Sequence, residues 1–163
     1  MYSKIQMKKE DVVVEKVFMY KDYFSLFKLN QSFFINIQTL EKNYIALQSK
    51  HHPDLFFLKS EKKLALDNIA EINKAYQTLK SSITRAEYLL EIKRVIANTD
   101  DVNNIIKEVF TLSELDDADI QYHILLCTKA MENAFLMEDF KEAAKQLTKL
   151  KYIKKIQEDR GIS

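Results

Sequence analysis

The sequence predicts an all-α protein, and three observations carry that prediction. One glycine and one proline stand in 163 residues. Sheets and tight hairpins need glycine, Asn-Gly pairs or proline at their turns, whereas helical hairpins do not. Apolar residues recur three and four apart through most of the chain, the spacing of one helix face. Finally, 47% of the residues are apolar, ample for a core and far from the composition of a disordered chain.

The elements follow in order. Residues 1–20 are left unassigned, because Val12, Val13, Val14, Val17 and Phe18 suit a short strand or an extended arm equally. Residues 21–29 read as a short aromatic helix, with Tyr23, Phe24 and Phe27 at helical spacing. Asn36 is an N-cap for a helix running to about His51, and Ile37, Leu40, Tyr44 and Leu47 mark its apolar face. Pro53 ends it, since proline lacks an N–H and biases His52 away from the α region. Residues 55–59 then form a loop that is unusual in carrying Phe56, Phe57 and Leu58.

A long helix is expected over 60–81, with Ala65, Ile69, Ile72, Tyr76 and Leu79 as a stripe suited to antiparallel packing on its predecessor. Another covers 84–96. The polar stretch 97–101 is the expected domain boundary, which divides a first domain, 21–96, from a second, 97–163. Beyond it three helices are expected, over about 102–111, 119–137 and 139–157. Their stripes and short connections describe a small bundle.

Bulk properties exclude several classes. A net charge of +1 gives no reason to expect nucleic acid. The apolar runs are short and broken by charges, so no membrane partner is expected. The single cysteine, Cys127, excludes an internal disulfide and a cysteine-based metal cage. It lies beside Ile124, Leu125 and Leu126, which reads as a core thiol and fits a reducing compartment. The first nine residues carry lysines but no signal-peptide core, and Glu10, Asp11 and Glu15 follow, against a transit peptide. A bacterial-type cytoplasm is the expected location.

The chemistry concentrates at Lys50–His51–His52–Pro53–Asp54, where a long amphipathic helix stops. His52 offers a ring donor and acceptor, Asp54 a charged acceptor, and Pro53 stiffens the backbone between them. Exposed at the tip of a helical hairpin, the triplet suits docking on a partner. A general base needs a pocket and an orienting group, and none is evident nearby. Adjacent histidines point to different faces of a helix, and catalytic zinc needs three convergent ligands. No enzyme activity, metal or cofactor is therefore expected.

The triplet lies between two helices of hairpin length, and the second contains Ile72–Asn73–Lys74–Ala75–Tyr76–Gln77–Thr78–Leu79. This pattern resembles the J domain, in which a His-Pro-Asp loop joins two such helices. Asp22–Tyr23–Phe24–Ser25–Leu26–Phe27 and Arg85–Ala86–Glu87–Tyr88–Leu89–Leu90 narrow the likeness to J-domain co-chaperones of the HscB type. Leu147–Thr148–Lys149–Leu150–Lys151–Tyr152, near the end of the bundle, fits as well.

The resemblance implies an adaptor for iron–sulfur cluster assembly. His52, Pro53 and Asp54 would dock on a DnaK/HscA-class ATPase and trigger hydrolysis. Lys42, Lys50 and His51 would add positive charge facing an acidic chaperone surface. The bundle would present an apolar and acidic patch to the scaffold protein IscU, with Ile105, Ile106, Val109, Asp117 and Tyr152 as its residues. The sequence departs from the family pattern at Phe110 and Ser113, where acidic residues are expected, and in a second helix with few basic residues. A general J-domain co-chaperone for other clients is the alternative. Such proteins usually add a Gly/Phe-rich linker or zinc modules, which one glycine and one cysteine cannot supply.

Overall fold

The computed structural model describes residues 20–112 and 116–161. Ser113 and the valine-rich segment around Val12 lie outside them. All regular structure among the described residues is helical, as expected. The chain divides into two compact units, the first ending at Lys80 and the second beginning at Ser81.

In the first unit, α1 spans Tyr23–Leu26, α2 Ile37–Lys50 and α3 Lys59–Lys80, with a 3-10 turn at Pro53–Leu55. The start of helix α1 is tightly specified. Asp22 Oδ1 accepts the Ser25 N–H at 2.8 Å and Ser25 Oγ accepts the Asp22 N–H at 3.1 Å, a reciprocal cap. Phe24, Leu26 and Phe27 are buried, and α1 rests on α3. Asn36 caps α2 through the Thr39 N–H, at 2.8 Å, as the sequence suggested.

Helix α3 buries Ala65, Asn68, Ile72, Ala75, Tyr76 and Leu79. Cross-links to α2 run in opposite senses along the two helices. Glu41 pairs with Lys80 at 3.9 Å, Tyr44 Oη donates to Asn73 Oδ1 at 2.9 Å, and His51 meets Asn68 at 3.2 Å. The two helices are therefore antiparallel, and the Tyr44 and Tyr76 rings stack between them with centroids 4.0 Å apart.

The second unit contains α4 (Ser82–Ile92), α5 (Thr99–Leu112), α6 (Asp117–Leu136) and α7 (Phe140–Asp159). Helix α7 is its centre, packing against α4, α5 and α6. Leu89, Ile105, Ile120, Met131, Leu150 and Ile153 form the core. Cys127 is buried among them, and burial pushes its thiol pKa up. That keeps it a neutral core thiol. The turn after α6 takes Glu138 through a left-handed conformation, φ 56°. Asp139 then caps α7 through the Glu142 N–H at 3.0 Å. The polar stretch 97–101 falls at the α4–α5 connection and the start of α5. Among the described residues, no helix is long and apolar enough to cross a membrane.

Candidate functional site

The His52–Pro53–Asp54 loop is built by a sharp helix stop. The His51 N–H closes the last turn of α2 on Leu47 O at 3.0 Å. His52 then turns extended, φ −64° and ψ 131°, as a residue before proline should. Pro53 opens the 3-10 turn, where its missing N–H costs nothing. His52 Nδ1 accepts the Asp54 N–H at 3.3 Å, while the Leu55 and Phe56 N–H groups donate to His52 O and Pro53 O at 3.0 and 3.2 Å.

Two buried side chains bracket this turn. His51, only 4% exposed, lies with its Nδ1 3.2 Å from Asn68 Nδ2 on α3. Phe56, also 4% exposed, returns the chain to the core. Between them the side chains of His52 and Asp54 are 56% and 87% exposed. Since His52 Nδ1 accepts from a backbone amide, its other ring nitrogen carries the proton in the neutral form and offers an outward donor. The tip thus presents one donor and one carboxylate on a short, hydrogen-bonded turn.

His51 is corrected by this geometry. A buried ring bonded to Asn68 cannot add exposed charge, so His51 holds the loop rather than touching a partner. Lys42 and Lys50 are exposed on α2, as the charge reading requires. The loop expected over 55–59 is shorter than anticipated, because Leu55 belongs to the 3-10 turn, Phe56 is an anchor and α3 already starts at Lys59. Asn68 went unremarked in the sequence. Its signal was there: it sits three residues from Ala65 and four from Ile72, a polar side chain within an apolar stripe.

On the second unit, Ile105 and Val109 are 2% and 6% exposed. With Leu112 they form the inward face of α5, so they belong to the core and not to an accessible patch. The four-residue step from Ile105 to Val109 is the signature of a core face as much as of a surface stripe, and α5 packs that face on α7. Ile106 and Phe110, one residue on from each, are turned outward and exposed. Tyr152 is partly exposed on α7, beside a shallow depression of about 320 Å³ bounded by Thr148, Lys151 and Lys155. Among the described residues no carboxylate lines it, although an acidic patch was expected, and Lys151 is paired with Glu87. Asp117, at the start of α6, is exposed and lies 3.3 Å from Arg160.

The DnaJ domain family model matches residues 22–88, and the HSCB C-terminal oligomerisation domain model matches residues 97–159. The co-chaperone protein HscB of Buchnera aphidicola is 33% identical over 159 residues, covering 84% of this chain and 91% of that relative. The chain belongs to the HscB co-chaperone family. A mouse member, the iron-sulfur cluster co-chaperone protein HscB, is 31% identical over 85% of this chain and 67% of its own length. Two solved HscB structures share the fold. The human protein matches with a TM-score of 0.71 at 27% identity, covering 87% of this chain and 81% of the human one. The Vibrio cholerae protein matches at 0.65 and 27%, covering 85% and 94%. The family's J domain thus includes the hairpin and its His-Pro-Asp loop. Among the described residues, no group of three or more His, Cys, Asp or Glu side chains could hold a metal ion.

Proposed function

We propose that this HscB-family protein stimulates a DnaK/HscA-class ATPase through its J domain and brings the scaffold protein IscU to that chaperone. In doing so it would aid iron–sulfur cluster transfer in a bacterial cytoplasm without being an enzyme itself. In this reading residues 21–96 act as the chaperone-facing module and 97–163 as the scaffold-facing one. The observation that carries it is the His52–Asp54 pair, exposed on a turn pinned at both ends by buried side chains. Such a turn loses little conformational freedom on docking, which favours recognition. Exposed carboxylate and imidazole without a pocket favour an ionic contact over proton transfer. Lys42 and Lys50 would steer the encounter with an acidic chaperone face. The name of the mouse relative supports the iron–sulfur role.

The test is the chaperone's steady-state ATPase rate with increasing amounts of this protein. His52→Gln should remove the stimulation and leave the melting temperature nearly unchanged, because exposed substitutions usually stay within about 0.5 kcal/mol. Full stimulation by the variant would defeat the reading.

A further inference from the structure

The loop is followed by side chains that the docking role leaves unexplained. Leu55, Phe57 and Leu58 are 47%, 77% and 62% exposed, an apolar run directly after Asp54. Its geometry is enforced. Phe56 is extended, φ −112° and ψ 146°, so successive side chains alternate, and burying Phe56 turns Phe57 outward. Leu58 is held at the head of α3, its N–H donating to Glu61 Oε2 at 3.3 Å and its carbonyl accepting the Lys62 N–H at 3.0 Å. Leu55 lies in the same 3-10 turn as Asp54. Leu58 is four positions on from Asp54, about 15 Å of chain at most. A partner surface that covers Asp54 has this run within reach.

Contiguous apolar side chains on a surface turn mark a contact surface. We propose that Leu55, Phe57 and Leu58 form an apolar lip that packs on a nonpolar patch of the ATPase chaperone beside the site where His52 and Asp54 engage. The inference rests on the chaperone-docking reading above. The work is divided: His52 and Asp54 trigger the ATPase, and the lip sets how tightly the complex holds. Lys59, Lys62 and Lys63 flank the lip in sequence, so its surroundings suit the same acidic chaperone face as Lys42 and Lys50.

The full-length protein is titrated against the chaperone's ATPase as wild type, as His52→Gln and as the double variant Phe57→Ser, Leu58→Ser. The double variant should raise the half-maximal concentration about tenfold, keep the maximal stimulation, and melt at the wild-type temperature. Phe57→Leu with Leu58→Met, which keeps the lip apolar, should restore the wild-type half-maximal concentration. A wild-type titration by the serine variant, with His52→Gln inactive, overturns the lip alone. Stimulation by His52→Gln overturns the docking reading beneath it. Unfolding of the serine variant would show that the side chains serve the core, and a change in its sedimentation would show a contact between copies. Either result overturns the lip.

Discussion

At the residue scale, the tip of the hairpin shows two adjacent histidines with opposite duties. His52 faces solvent and His51 is buried against Asn68. Breaking a buried pair leaves a polar group without its partner, which costs about 1–3 kcal/mol. Asn68→Ala should therefore lower stability by that order in chemical denaturation, and should weaken ATPase stimulation although Asn68 touches no partner. A normal melting curve for this variant would show that the His51–Asn68 contact holds nothing. The motif itself was legible in the five residues Lys50–His51–His52–Pro53–Asp54, but the split of roles was not. Sequence places His51 and His52 side by side, and only the end of α2 decides which of them the hairpin swallows. Asn68 alone, polar in an apolar stripe, could have told the two apart.

At the element scale, helix spacing was read well because the constraint is local. With one glycine and one proline, few places exist for a helix to stop, and Asn36, Pro53 and Asp139 mark three of the ends. The failure on α5 has the same origin. Ile105, Ile106, Val109 and Phe110 make a broad apolar surface, and periodicity alone cannot say which half faces α7. The packing settles it in favour of Ile105 and Val109. The consequence is a contrast between neighbours. Ile105→Ala empties core volume and should cost about 2–5 kcal/mol, while Ile106→Ala should stay within about 0.5 kcal/mol. Thermal denaturation of the two single variants reads this directly, and equal losses would show that α5 is turned differently on α7.

At the scale of the whole molecule, the proposed function would be divided between the two compact units. The loop that would engage the chaperone ends before Lys80, and the side chains offered for the scaffold lie on α5 and α7, after Ser81. Buried Ile105 and Val109 leave Ile106 and Tyr152 as the accessible members of the expected patch, together with Asp117, whose carboxylate lies 3.3 Å from Arg160. Aromatic and aliphatic anchors often dominate interface energy, and truncating a pair of them commonly costs about 2 kcal/mol or more. The double variant Ile106→Ala, Tyr152→Ala should then weaken scaffold binding by at least about 2 kcal/mol in calorimetry. Circular dichroism should stay unchanged, since neither side chain fills the core. Stimulation of the chaperone's ATPase in the absence of scaffold should persist, because His52 and Asp54 lie in the other unit. Normal scaffold affinity in a folded variant would move the binding face elsewhere on the bundle. Loss of both activities together would mean that the two units do not act separately. The separate outcome is the one expected, since each candidate surface is built by helices of its own unit.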